Sequence, residues 1–168
     1  MCGIIGYAGK RQASPILLYG LSKLEYRGYD SAGLCVQTEH GLQIEKAKGR
    51  LKVLWEKCEG GKTLHGTVGI GHTRWATHGA PSDVNSHPHM SWTGKIAVVH
   101  NGIIENYREL TQKYGLEDKL CSQTDSEVVA AVLNRFYDGD PYAAIRKTVL
   151  KLKGTFALAI LFDDIPGK

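Results

Sequence analysis

The sequence predicts an α+β domain in which antiparallel sheet is covered by helices. Three observations lead there. The β-rich runs come in neighbouring pairs, the helical runs gather elsewhere, and the strict strand–helix–strand alternation of a parallel sheet is missing. The chain has 168 residues, 42% of them apolar and 23% charged, as in an ordinary globular protein with one sizeable core. No internal repeat, low-complexity segment or linker divides it, so residues 1–168 are read as one domain.

The elements follow from local pattern. Ile4 to Tyr7 reads as a short buried strand between Gly3 and Gly6. Ser14-Pro15 reads as an N-cap with proline at the first helical position, and Ile16, Leu17, Gly20, Leu21 and Leu24 continue at helical spacing towards Gly28. Ala32 to Gln37 and Leu42 to Lys46 read as two strands joined by a turn near His40-Gly41, with Leu51 to Cys58 a short helix. Thr67 to His72 and Ile96 to Val99 are buried strands, and between them Trp75 to Thr93 is irregular, a length of loop that usually carries function. Asn106 to Tyr114 is a helix stopped by Gly115. Thr124-Asp125-Ser126-Glu127 is a capping box that opens a helix with Val128, Val129, Val132, Leu133 and Phe136 on its apolar face. Asp140-Pro141 caps a further helix, and Thr155 to Phe162 is the last strand. The chain stops at Pro166-Gly167-Lys168 directly after that strand, which reads as a cut fragment.

Composition excludes several function classes. The net charge of +4 is mild and its basic residues are mixed with acids, so neither nucleic acid nor an anionic membrane is expected as a partner. The start, MCGIIGYAGKR, lacks the features of a signal peptide, and no apolar stretch approaches the ~20 residues that span a bilayer. Cys2, Cys35, Cys58 and Cys121 lie far apart without a CxxC pair, which points to a reducing cytoplasm and away from disulfides or thiolate zinc. His72, His78, His87 and His89 match no common zinc spacing, so no metal is expected.

Four groups can do chemistry. Removal of Met1 would leave Cys2 with its thiol and α-amine on one residue, and an amine of pKa about 8 can take the proton of a thiol of pKa about 8.5. Cys2 can equally be a small buried hydrophobe. In HTRWATHG, His72 to Gly79, Arg74 offers a planar fork for a carboxylate, with Thr77, His78 and the backbone at Gly79 adding polar groups on a loop. Read structurally, Arg74 makes a salt bridge and Trp75 fills core. In VVHNGIIEN, a strand ends at His100 and the chain turns at Asn101-Gly102, where a side-chain amide and a glycine N–H form a donor pair for an oxyanion. Asn-Gly is also the commonest hairpin signal. Asp125 can hold an ammonium or simply complement a helix dipole. Together these suit an α-amino acid attacked at its side-chain carbonyl, and glutamine fits.

The motifs carry a resemblance over essentially the whole chain. Cys2-Gly3-Ile4-Ile5-Gly6 resembles the start of class II glutamine amidotransferases. Glu25 to Gly33 (EYRGYDSAG), His72 to Gly79, Asn85 to His89 (NSHPH) and His100-Asn101-Gly102 are similar to the blocks of the glutamine:fructose-6-phosphate aminotransferase family, the glucosamine-6-phosphate synthases. The resemblance implies an N-terminal-nucleophile αββα four-layer sandwich, C-terminally truncated here. Cys2 would form a γ-glutamyl thioester with its own α-amine as base, and Asn101 and the Gly102 N–H would form the oxyanion hole. Arg74 would hold the α-carboxylate of L-glutamine and Asp125 its α-ammonium. Trp75, Thr77, His78 and Gly79 would close over the substrate, and Arg27 and His87 would support the site, Arg27 at its thiol end. It implies no cofactor. The hexose-phosphate-binding sugar-isomerase domains would lie outside this chain, with a homo-oligomer for the full-length enzyme. The glutaminase would serve amino-sugar biosynthesis in the cytoplasm. The other readings are an amidotransferase serving another acceptor, and a non-catalytic truncated domain.

Overall fold

The structure is a computed structural model that describes residues 2–75 and 79–165. Its elements run β1 (Gly3–Ala8), α1 (Ala13–Leu24), β2 (Ser31–Thr38), β3 (Gly41–Lys48), α2 (Leu51–Lys57), β4 (Val68–Arg74), β5 (His89–Met90), β6 (Ile96–Ile104), α3 (Tyr107–Tyr114), α4 (Asp125–Phe136), α5 (Pro141–Val149) and β7 (Gly154–Phe162). A single 3-10 turn, Glu25–Arg27, follows α1. The strands form one sheet in the order β1-β4-β2-β3 and a second in the order β5-β6-β7, and every pairing is antiparallel.

Three apolar clusters make these elements into four layers. Leu17, Leu18 and Leu21 of α1 and Leu54 of α2 pack on Ala32, Leu34 and Val36 of the first sheet. Val128, Val129, Val132 and Leu133 of α4, with Leu110 of α3, cover Ile96, Val98 and Ile104 of the second. Cys35, Ile70, Ala97, Val99 and Leu161 fill the space between the sheets. Each buried Leu or Val stabilises by about 1.5–3 kcal/mol relative to exposure. The middle layer is the thinnest in bulky side chains, and it is the layer from which the polar site opens.

Alternation explains that opening. Successive residues of a strand point to opposite faces. In β1, Ile4 faces the other sheet, and Cys2, two residues earlier, shares its side. In β4, Ile70 faces inwards, followed by His72 and Arg74 at the same parity. In β6, Ala97 and Val99 are followed by Asn101. At one end of the intersheet layer the aliphatic residues of three strands therefore give way to a thiol, an imidazole, a guanidinium and an amide.

Local chemistry departs from the sequence reading at three points. α1 begins at Ala13 with Gln12 as its cap, and Ser14 is not the N-cap: its hydroxyl donates to the Leu64 carbonyl at 2.8 Å and is buried inside the first turn. Pro15 still falls within that turn, where its missing N–H costs nothing. The capping box at Thr124 is half formed. Thr124 accepts from the Glu127 N–H, whereas the Glu127 carboxylate accepts from the N–H groups of Cys121 and Ser122 and so braces the preceding loop. Asn101-Gly102 is not a turn. β6 runs on to Ile104, pairing Asn101 with Ala157 and Gly102 with Phe156 of β7.

Gly102 adopts φ +127, and a Cβ there would lie 1.9 Å from the Thr155 carbonyl oxygen. A kink of positive φ inside a paired strand, closed against its neighbour's backbone, accounts for the glycine. Gly102→Ala is expected to destabilise the domain by more than about 1 kcal/mol, read as a lower urea midpoint with unchanged m-value; an unchanged midpoint would mean that the kink is not required.

Candidate active site

A cavity of about 520 Å³ opens at this polar end, lined by Cys2, Arg27, Arg74, Trp75, His87, His100, Asn101, Gly102, Ile103, Thr124, Asp125, Ser126 and Thr155. Cys2, Asn101, Gly102, Arg74, Trp75, Asp125, Arg27 and His87, expected from the sequence as site residues, thus share one space. Gly79 stands at its border, where its carbonyl accepts from Arg74 Nη2 at 3.1 Å. Thr77 and His78 lie outside the described residues.

The sulfur of Cys2 is held by backbone. The Trp75 N–H donates to Sγ at 3.2 Å, and the Cys2 thiol sits 3.6 Å from the Trp75 carbonyl. Two strand ends, before β1 and after β4, are thereby tied at the Cys2 sulfur. Gly28 lets the EYRGYDSAG segment lie against this tie: a Cβ at Gly28 would meet the Arg74 carbonyl carbon and oxygen at 2.7 Å, and the Asp30 N–H donates to that carbonyl. The Trp75 indole is about half exposed and meets Tyr29 edge to face at 5.3 Å. Arg27 lines the same rim, its Nε donating to the Tyr26 hydroxyl.

Both charged ends of the site are buried. Arg74 on β4 and Asp125 at the first turn of α4 are each 4% exposed. Asp125 Oδ2 accepts from the Ile104 N–H at 2.7 Å, locking the start of α4 to the end of β6. Its position also sets the carboxylate in the positive field of the helix N-terminus. Ser126 Oγ lies 3.4 Å from Asp125 Oδ1 and 2.7 Å from His100 Nδ1. A carboxylate has about four lone-pair sites, so these bonds leave capacity for a cationic ligand.

Behind the cavity four imidazoles are packed. His72 stacks on His87 at 4.2 Å between ring centres, and His87 meets His89 edge to face at 4.7 Å. The His100 N–H donates to His87 Nδ1 at 3.1 Å, and His89 Nε2 lies 3.0 Å from the Thr124 hydroxyl. Burial is the largest cause of a lowered pKa in each. His72 is pushed down to about 4, His87 and His89 fall well below the ordinary histidine value, and His100 falls against the opposing pull of Asp125. At neutral pH these rings are uncharged. The loop that brings in His87 is pinned by Lys46, whose Nζ donates to the carbonyls of Val84 and Ser86.

His72, His100 and Ser126 were not singled out as site residues by sequence. The signal was present: polar residues at alternate positions where a buried strand ends mark a polar site at the edge of a core. Among the described residues no three metal-ligating side chains are grouped to hold an ion, and no helix is long and apolar enough to cross a membrane.

The family model described as glutamine amidotransferase domain matches residues 72–165. The chain is 56% identical over 168 residues to a glutamine--fructose-6-phosphate aminotransferase [isomerizing] of Caldanaerobacter subterraneus subsp. tengcongensis, covering 99% of this chain and 27% of that protein. It is 51% identical to the protein of the same description from Thermus thermophilus, covering 98% and 27%. The chain therefore spans about a quarter of the length of these relatives. Among solved structures, glutamine phosphoribosylpyrophosphate amidotransferase from B. subtilis, in complex with ADP and GMP, superposes with a TM-score of 0.82 at 26% identity, covering 97% of this chain and 35% of that one.

The histidine cluster makes stability depend on pH. Between about 4 and the ordinary value of 6.5 for His72, the unfolded chain binds a proton that the folded chain refuses. Stability is then fully present above about 6.5 and falls as the pH drops through that window; below about 4 the folded state takes the proton too. His72 alone is worth roughly 3 kcal/mol across it. Urea midpoints at pH 7 and pH 4.5 are expected to differ accordingly, lower at pH 4.5; equal midpoints would exclude a neutral buried cluster.

Proposed function

The chain belongs to the glutamine amidotransferase domain family, and from that premise we propose that it hydrolyses L-glutamine to glutamate and ammonia through a thioester on Cys2. Its fold is that of the N-terminal-nucleophile amidotransferases. The observation that carries the proposal is the single cavity gathering a thiol, an amide beside a glycine N–H, a buried guanidinium and a buried carboxylate. Those are the complements of one molecule: a side-chain carbonyl to attack, an oxyanion to receive, and the two charged groups of an α-amino acid.

The reaction follows in order. Removal of Met1 frees the α-amine of Cys2, which takes the thiol proton. Sγ attacks Cδ of glutamine, and the electron pair moves to the amide oxygen. An amide nitrogen carries two N–H groups; one Asn101 Nδ2–H is spent on the Cys2 carbonyl at 3.1 Å, and the other faces the oxyanion together with the Gly102 N–H. Collapse of the intermediate expels ammonia, which receives the proton carried by the amine. Water then attacks the γ-glutamyl thioester by the same route in reverse, releasing glutamate and the thiol. Arg74 holds the α-carboxylate, as a planar fork matches two oxygens, and Asp125 holds the α-ammonium. Trp75, Thr77, His78 and Gly79 cover the substrate, Arg27 braces the thiol end, and His87 supports the wall behind.

The relatives' shared description, glutamine--fructose-6-phosphate aminotransferase [isomerizing], supports a finer reading. In it the ammonia passes to fructose 6-phosphate on sugar-isomerase domains of a longer cytoplasmic enzyme, acting as a homo-oligomer in amino-sugar synthesis and giving glucosamine 6-phosphate.

Intact mass combined with glutamate release tests the core of the proposal. Protein lacking Met1 is expected to liberate glutamate from glutamine, and Cys2→Ala to abolish it; turnover that survives Cys2→Ala defeats the mechanism, and processed protein with no turnover supports an inert domain. Arg74→Lys is expected to raise the glutamine KM at least about tenfold, because a point charge replaces the fork. An unchanged KM would remove Arg74 from the binding site.

A further inference from the structure

We infer that His72 is a positioning residue, whose Nε2–H fixes the side-chain amide of Asn101 with its nitrogen towards Cys2. The inference rests on the reading of Asn101 as an oxyanion donor and concerns what aims it. His72 Nε2 lies 3.1 Å from the His100 carbonyl oxygen and 2.9 Å from the Asn101 side chain. A backbone carbonyl only accepts, so Nε2 carries the hydrogen, and the Asn101 atom facing it is the oxygen, Oδ1. At the other end of the amide, the atom 3.1 Å from the Cys2 carbonyl faces another pure acceptor and must be the nitrogen, Nδ2. The two ends give the same orientation independently.

The ring is itself held still. It is 1% exposed and stacked almost parallel, at 16°, on His87. The peptide unit of His100 is shared between the two rings: its N–H donates to His87 Nδ1, and its carbonyl accepts from His72 Nε2. His72 Nδ1 is buried without a hydrogen-bond partner. A histidine serving only as core filler would leave a costly unsatisfied nitrogen for nothing, and an apolar side chain of the same size would avoid it. The contact at Nε2 is what an aliphatic residue could not supply.

A flipped Asn101 would present Oδ1 to a developing oxyanion, replacing attraction by repulsion. His72→Leu, which fills the space without a donor, is therefore expected to lower kcat about 10- to 100-fold with KM for glutamine little changed, somewhat less than the loss of the donor itself. His72→Gln, which can place an amide N–H near the Nε2 position, is expected to recover most of that rate. In a double-mutant cycle, His72→Leu should add nothing to Asn101→Ala. A folded His72→Leu variant with unchanged kcat, or an additive loss on Asn101→Ala, overturns the inference. An Asn101→Ala variant with unchanged kcat instead defeats the underlying reading of Asn101. Should His72→Leu fail to fold, the imidazole ¹⁵N spectrum of the unaltered chain decides without turnover: a neutral Nε2–H tautomer for His72 is expected, and an Nδ1–H tautomer overturns the inference.

Discussion

Two antiparallel sheets packed face to face impose the constraint on which the candidate site depends. Each strand gives every second side chain to the space between them. Ile4, Ile70, Ala97 and Val99 use that space as core. Cys2, His72, Arg74 and Asn101 continue the same faces and so arrive together without any loop having to place them. Rigid elements hold a site more closely than loops do, and here three strands and the start of α4 share the task. A one-residue slip of β4 against β1 would turn His72 and Arg74 towards α1 and bring Thr73 into the cavity. The register that pairs Gly3 with Thr73 and Gly33 with His72 is thus a requirement of the candidate site as much as of the core.

Burial on this scale has an electrostatic cost, met differently for each group. The four histidines are kept neutral, so the imidazole wall behind Cys2 adds no charge to the cavity. Asp125 is offset by the N-terminus of α4 and by the Ile104 N–H, both fixed dipoles that need no mobile counter-ion. Arg74 is tied to the Gly79 carbonyl at the border of the cavity. The two charged groups of the proposed amino-acid substrate would be opposite in sign to Arg74 and Asp125, one at each end of the cavity.

Much of this was legible in the sequence because it rests on short-range rules. Paired strand runs gave the antiparallel sheets, Asp140-Pro141 marked the start of α5, and Gly115 ends α3 in the left-handed conformation that glycine tolerates. The motif blocks marked Cys2, Arg74 and Asn101, and the helix start at Thr124 marked Asp125, before anything placed them together. What failed was local signal overridden by tertiary contact. Ser14 has the chemistry of a cap, yet Leu64, fifty positions away in sequence, takes its hydroxyl. Asn101-Gly102 has the composition of a hairpin turn, yet β7 pairs straight through it. His72 was weighed only as a metal ligand and as the first residue of its motif block, because its proposed role depends on which atom it faces, and tautomer and amide orientation exist only once His100, Asn101 and Cys2 are in contact.

The backbone conformation of Gly102 and the imidazole of His72 would serve the proposed oxyanion pair from opposite sides. Gly102 takes a positive φ inside β6, a conformation that glycine adopts readily, while the strand stays paired with β7 on both sides of it. The backbone decides where the Asn101 amide sits but not which end leads, because oxygen and nitrogen have nearly the same size. That remaining two-fold choice is chemical, and only a neighbour of known donor character can make it. The His100 carbonyl requires a hydrogen on His72 Nε2, Nε2 requires oxygen on Asn101, and the Cys2 carbonyl requires nitrogen at the far end. The proposed nucleophile's own backbone is therefore the last link in the chain that would orient its oxyanion donor.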